Sequence, residues 1–304
     1  MKLNQEKLGV GVTIGTGTND FNVIAKHLEL AETQDLQFVE FSIYDWNIII
    51  GKRIIPQELR KFKSICERTK LKFAIHGELS VNFFDLDNIQ DHKEVLKRDI
   101  EISSSVGALH LVTHFGSTSE ETFRNKKKYE DLLKIQREAY TEMGDYAKSH
   151  NVILVVENLF SFFKNHYAPL PSVVANELFN INHPNVKATL DFSHAFINCN
   201  QLKVDFLEEI KKMSPISKHL HVHDSFGNSK NIWTYNESEE LSYGLGDLHL
   251  PIGWGSIPFE EIFNLLEFPK GLILNLEIQE KFIEYIPETI KRAKYFLDKV
   301  IICK

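Results

Sequence analysis

The sequence predicts a single (β/α)8 barrel spanning residues 1–304, and three observations carry that prediction. Eight short runs rich in β-branched and aliphatic residues are spread along the whole chain. The segments between them show helical periodicity, so strands and helices alternate as in parallel βαβ units. The runs themselves are apolar nearly throughout instead of alternating, which is the pattern of strands buried on both faces. Eight repeats favour closure into a barrel over an open, doubly wound sheet. A chain of 304 residues accommodates one such domain of about 250 residues with insertions.

The first run is Leu8–Ile14, LGVGVTI. The turn after it, Gly15-Thr16-Gly17, lacks the third glycine of a dinucleotide-binding GxGxxG turn and is not read as one. A helix follows over Phe21–Thr33, with Asp20 as its N-cap and Val23, Ile24, His27, Leu28 and Leu30 as its inward stripe. The next runs are Phe38–Ile43 (FVEFSI), Lys72–Gly77 (KFAIHG) and His110–Gly116 (HLVTHFG). Lys126–Lys148 reads as a helix charged on one face, with Leu132, Leu133, Ile135 and Ala139 on the other. Val152–Asn158 (VILVVEN), Val186–His194 (VKATLDFSH), Lys218–Ser225 (KHLHVHDS) and Leu272–Ile278 (LILNLEI) complete the eight. One long stretch, Phe226–Leu250, is irregular and punctuated by Gly227, Gly244 and Gly246. Loops of that length in compact domains usually carry function.

Composition sets the outer bounds. A chain with 43% hydrophobic and 25% charged residues is of ordinary globular type and needs no disulfides to stabilise its core. Cys66, Cys199 and Cys303 form neither a disulfide framework nor a CxxC knuckle, which points to a reducing compartment. The opening MKLNQEKLG has no apolar signal core, and no run of about 18 apolar residues occurs, so a cytoplasmic protein without a membrane partner is expected. A net charge of −7 opposes broad nucleic-acid binding.

The chemistry gathers at the strand ends. From the third run to the eighth, these carry His76, His114, Glu157, Asp191 with His194, His221 with His223 and Asp224, and Glu277. The long loop adds Asp247-Leu248-His249. Strand C-termini converge on one face of a barrel, where imidazoles and carboxylates together make a transition-metal site. A glutamate inside VILVVENLF needs a cation or a hydrogen-bond network, because an uncompensated buried carboxylate is very costly. Six successive strands ending in ligand-type side chains predict a metal centre.

Four segments, VENLF at Glu157, LDFSHAF at Asp191, HVHD at His221 and DLHLPIGWGSIPFEEI from Asp247, occur here in a telling order and spacing. By them the chain resembles the xylose isomerase-like superfamily, which includes sugar-phosphate isomerases and epimerases and the endonuclease IV family (AP endonuclease family 2). The resemblance implies an enzyme using two or three zinc ions, with manganese or iron as alternatives. By its terms His76, His114 and Glu157 would hold a first metal. Glu157 would bridge to a second, completed by Asp191, His221 and Glu277, and His194, Asp247 and His249 would hold a third. It also implies Glu157 and Glu277 as catalytic carboxylates.

The substrate-facing segments depart from the nucleases. Leu79 stands in GELSVNFF where they insert an aromatic residue into DNA, and YDWNIIIGKR lacks their DNA-reading loop. Glu40 in VEFS looks like the sugar isomerases, and Trp254 replaces an acidic residue of many relatives. A small phosphorylated or sugar substrate is therefore expected in preference to DNA. Trp46, Trp233, Trp254 and Phe115 are candidates for stacking on it. The expected activity is phosphoester hydrolysis by a multinuclear centre. The alternative is isomerisation or epimerisation of a sugar or sugar phosphate, and the third reading is a binding module without chemistry.

Overall fold

A computed structural model describes residues 7–303. Eight parallel strands close into a barrel: β1 (Lys7–Ile14), β2 (Phe38–Ser42), β3 (Lys72–His76), β4 (His110–His114), β5 (Ile153–Glu157), β6 (Val186–Asp191), β7 (Ser217–Val222) and β8 (Leu272–Leu276). Each strand pairs with its neighbours in sequence, and β8 closes on β1. The single (β/α)8 barrel expected from the sequence is the fold observed. The residues Met1–Glu6 of the expected leaderless N-terminus lie outside the described residues.

The surrounding helices are α1 (Phe21–Thr33), α2 (Pro56–Cys66), α3 (Ile89–Ser105), α4 (Glu120–Arg124), α5 (Lys126–Ser149), α6 (Pro171–Ile181), α7 (Phe192–Leu202), α8 (Phe206–Met213), α9 (Glu237–Tyr243), α10 (Phe259–Leu265) and α11 (Ile286–Lys299). Local chemistry sets their starts. The Asp20 carboxylate accepts the Asn22 N–H at 2.8 Å, and Asp205 accepts that of Glu208 at 2.9 Å. Pro56 and Pro171 occupy first-turn positions where no N–H is needed. No helix among the described residues is long and apolar enough to cross a membrane.

Several sequence expectations need correction. His194 is not on a strand: β6 stops at Asp191, whose carboxylate accepts the His194 N–H at 2.7 Å and thereby starts α7. On α1 the inward stripe runs through Ile24, Leu28 and Ala31, while Leu30 faces solvent. On α5, Gln136 and Tyr140 are buried, and Ile135 is only half-buried. The long loop is not wholly irregular, because it folds α9 at its centre. Trp46 is a core residue, 1% exposed, packed edge-on against Phe21, Phe41 and Phe62 at 5.1–5.6 Å. Its Nε1–H donates to the Gly15 carbonyl at 3.0 Å, and a Cβ on Gly15 would lie 2.2 Å from the indole ring. The GTG turn therefore serves packing.

Register brings the polar strand ends level with one another. His114 sits opposite Glu157, Asp191 opposite His221, and Ser42 opposite His76. Beneath them the barrel interior carries a buried polar layer that includes Glu40, His110, His219 and Asn275, with the half-buried Thr13 bonded to Glu40.

Candidate metal centre

All nine side chains expected as ligands meet at the C-terminal mouth. Glu157 lies at the middle. Its Oε2 is 3.3 Å from His76 Nε2 and 3.6 Å from His114 Nε2, while its Oε1 is 3.2 Å from His221 Nδ1. That nitrogen of His221 is also 3.4 Å from Glu277 and 3.8 Å from Asp191. At the outer end, Asp247 Oδ2 lies 3.1 Å from His194 Nε2 and 2.8 Å from His249 Nε2. Donors about 2.1 Å from a tetrahedral zinc lie about 3.4 Å from one another, so these spacings, which direct hydrogen bonds also give, would admit shared cations.

The histidines are oriented by the main chain. Nδ1 of His76 lies 3.1 Å from the Gly77 carbonyl, and that of His114 lies 2.9 Å from the Leu79 carbonyl. Nδ1 of His194 is 3.0 Å from the Asn158 carbonyl, and that of His249 is 2.8 Å from the Glu277 carbonyl. A carbonyl only accepts, so each Nδ1 carries the proton and each Nε2 is turned toward a carboxylate. Metal-ligating histidines are commonly fixed in this way.

Charge tells the same story. Among the described residues, no lysine or arginine pairs with Glu157, Asp191, Asp247 or Glu277; their ionic partners are histidines. Burial alone would raise the Glu157 carboxyl, but His221 and hydrogen bonds from His194, His221 and His76 hold it well below the usual carboxylate range. Asp247 is held low against burial by His249, His223 and His194. Burial would lower His249, yet Asp247 and Glu277 raise it to about 10. His114 is the exception: burial outweighs Glu157 and pulls it down to about 4. It is therefore neutral at pH 7, with its bare Nε2 3.6 Å from Glu157 Oε2, a buried oxygen that His76 Nε2 also approaches at 3.3 Å. Two lone pairs pointed at each other in a buried site call for a cation between them. The residues present fit divalent metal ions.

The groupings follow the expected ones only in part. His76, His114 and Glu157 come within 4.8 Å of one another as expected, but Glu157 and Asp191 group with His194, and His221 and Glu277 with His76. His249 groups with His223 and Glu277, and contacts His194 through the shared oxygen of Asp247. His223 is fully buried, donates from Nε2 to Asp191 at 3.0 Å and stacks on His249 at 4.1 Å. Its membership was readable from strand alternation, since residues 219, 221 and 223 point the same way. Asp224 points elsewhere. Its carboxylate accepts the N–H groups of Gly253 at 2.8 Å, Ser225 at 3.0 Å and Ile257 at 3.2 Å, stapling the end of the long loop.

The mouth opens into a cavity of about 520 Å³. Thr13, Thr16, Tyr44, Asn82 and Gln279 supply neutral polar groups to its wall, and Leu79, Val81, Phe115, Leu159 and Ile278 supply apolar ones. Burial and the Glu277 charge push the Tyr44 hydroxyl up to about 12, so it remains a donor. Of the four aromatics considered for stacking, Phe115 lines the cavity. Trp254 packs on Phe282 and Tyr285, and Trp233 is exposed against Tyr235.

Comparison with known proteins agrees with this fold. The sequence profile described as a xylose isomerase-like TIM barrel matches residues 28–300. No curated protein is significantly similar in sequence. Among solved structures, a D-tagatose 3-epimerase-like protein superposes with a TM-score of 0.65 at 18% identity, over 94% of this chain and 98% of that one. A Thermus thermophilus protein soaked with zinc chloride gives 0.64 at 16% identity, over 95% and 96%. A D-psicose 3-epimerase in the presence of D-fructose gives 0.63 at 14% identity, over 96% and 99%. At these identities the likeness is one of fold.

Proposed function

This chain belongs to the xylose isomerase-like TIM-barrel family, and from that premise we propose that it is a metal-dependent isomerase or epimerase of a small, uncharged polyhydroxy compound. One observation carries the choice of substrate: among the described residues that line the cavity there is no lysine or arginine, only hydroxyls, amides, metal-type donors and apolar groups. A site built for a phosphorylated sugar normally places such cations on the phosphate. The sugar epimerases among the similar structures support the same choice.

Bound divalent ions would polarise the substrate's oxygens and acidify the neighbouring C–H. Glu157 and Glu277 come from the ends of strands three places apart, and both approach His221 Nδ1, at 3.2 and 3.4 Å. A substrate carbon lying between them would lose a proton to one carboxylate and regain one from the other, and proton exchange with solvent would reset the two carboxylates, so that no atom is gained or lost overall. Tyr44 donates to a substrate oxygen. Val81, Leu159 and Ile278 keep water from the reacting carbon.

Phosphoester hydrolysis is the second reading, favoured by Asp247 and its two histidines, which complete a third donor set that isomerisation has no evident need for. The test is a panel of ketoses, aldoses and cyclitols, with their phosphates, a generic phosphodiester and an abasic duplex, run on zinc- and manganese-loaded protein in D2O. Deuterium incorporation into a neutral sugar is expected, and should survive Asp247→Ala combined with His249→Ala while two metals remain bound. Phosphoester turnover without sugar exchange, abolished in that double variant, would overturn the isomerase reading in favour of the hydrolase.

A further inference from the structure

Building on the metal centre described above, we propose that Glu40 is a positioning residue that sets the orientation of His221 and governs the affinity of one ion without touching it. His76, His114 and His249 rest Nδ1 on main-chain carbonyls and present Nε2, while His194 Nδ1 is shared between the Asn158 carbonyl at 3.0 Å and Glu157 Oε1 at 3.1 Å. His221 is turned the other way. Its Nδ1 faces Glu157, Glu277 and Asp191 at 3.2, 3.4 and 3.8 Å, and its Nε2 faces Glu40 Oε1 at 3.2 Å and Oε2 at 3.4 Å.

Glu40 sits within β2 and is fully buried. Among the described residues no lysine or arginine balances it. Asn275 Nδ2 and Thr13 Oγ1 each donate to it at 3.1 Å, and His219 Nε2 approaches at 2.9 Å. Carboxylates face both ring nitrogens and only accept, so the metal-free ring carries a proton on each; a cation among Glu157, Asp191 and Glu277 would replace the Nδ1 proton and leave the Nε2 proton with Glu40. Holding the imidazole proton with a full negative charge, where His76, His114 and His249 use a neutral carbonyl, makes His221 a stronger nitrogen donor than those three. The ion shared by Glu157, Asp191, His221 and Glu277 should then be tightly held, and its affinity should depend on Glu40.

The alternative is that the buried group is itself an ion site, since Glu40, His219 and His221 also lie within 4.8 Å of one another. His221 Nε2 cannot hold a proton and a metal together, so the two arrangements are distinguishable. Zinc binding is measured by competition with a chromophoric chelator for the wild type, Glu40→Gln and Glu40→Asp. Glu40→Gln should weaken one ion by about 10- to 100-fold, the usual range for loss of such a partner, and leave the others unchanged. Glu40→Asp, which retains the charge, should recover part of the loss. Long-range 1H–15N correlation spectra of the zinc-loaded wild type should show His221 protonated on Nε2 and ligated through Nδ1; this measurement decides the matter even if Glu40→Gln fails to fold. Affinities in Glu40→Gln equal to wild type overturn the proposal. So does an equal loss at every ion without recovery in Glu40→Asp, or a His221 ligated through Nε2. A wild type that binds no zinc overturns the metal centre itself, and is a separate outcome.

Discussion

Replacing Asp224 with alanine tests how the outermost donors are held in place. The Asp224 carboxylate accepts the part-buried N–H of Gly253 at 2.8 Å and the buried N–H of Ile257 at 3.2 Å, as well as that of Ser225. Its main chain exchanges two hydrogen bonds with Leu250, at 2.8 and 3.1 Å, immediately after Asp247 and His249. The fit is close, since a Cβ on Gly255 would lie 2.4 Å from Asp224 Oδ1. Hydrogen bonds to an ionised group contribute about 1.5–3 kcal/mol each, so losing the two longer-range ones costs about 3–6 kcal/mol if the loop stays in place. The loop can escape part of that cost by opening. At about 1.4 kcal/mol per factor of ten, a loss of 3 kcal/mol raises the open population by about 100-fold. Hydrogen exchange should accordingly accelerate by about that factor at the amides of Leu250, Gly253 and Ile257 in Asp224→Ala. The metal count should fall by one ion while the inner ones remain. Unchanged exchange at those amides together with a full metal complement would show that Asp224 does not hold the loop.

Two further outcomes are expected. Glu157→Gln, which keeps the shape but removes the charge shared between His76, His114 and His221, should lose at least one ion per chain and all activity with an unchanged circular dichroism spectrum; normal activity would remove Glu157 from the mechanism. The metal-free protein should be most stable near pH 5–6. His249, raised to about 10 by Asp247 and Glu277 against burial, contributes stability fully below about pH 6.5 and loses it as pH rises toward 10. His76, His194 and His221 shift in the same direction, whereas His114, pulled down mainly by burial, opposes them below about pH 6.5. Glu157 and Asp247, held low, contribute above about pH 4 and lose that contribution in acid. Ligation needs bare imidazoles, so zinc-loaded protein should show the opposite trend on the alkaline side. Melting curves at pH 6 and 9 with and without a chelator check this, and a metal-free Tm that climbs between those values would contradict it.

The barrel and its mouth were legible because strands buried on both faces read as apolar runs, against which a terminal histidine or carboxylate stands out. Glu157 in VILVVENLF is the clearest instance. The argument that singled it out applies equally to Glu40 in FVEFS, whose buried charge also needs a partner. That partner, His221, lies 181 residues away, and no local pattern announces it. His223 follows His221 at the spacing of a strand face, yet lies just past the end of β7, where alternation is easily discounted. The start of α7 was masked because LDFSHAF continues the apolar run of β6, and only the capping hydrogen bond from His194 to Asp191 marks the change. In the long loop, α9 is polar on all sides, ESEELSY, and has no buried residue to give it a stripe.

Asp247 and His249 are the only two of the nine donors carried by the long loop; the other seven are on the barrel strands, immediately after β8, or in the first turn of α7. If the donors hold ions as proposed, the barrel would set the inner ones and the appendage whether there is an outer one. Editing that appendage would then add or remove an ion without disturbing a strand, so barrels of this kind could move between two-ion and three-ion chemistry by changes in a single stretch of surface chain. The inventory of ions in this architecture is then a heritable variable separate from the fold, and two relatives with superimposable barrels need not share a reaction.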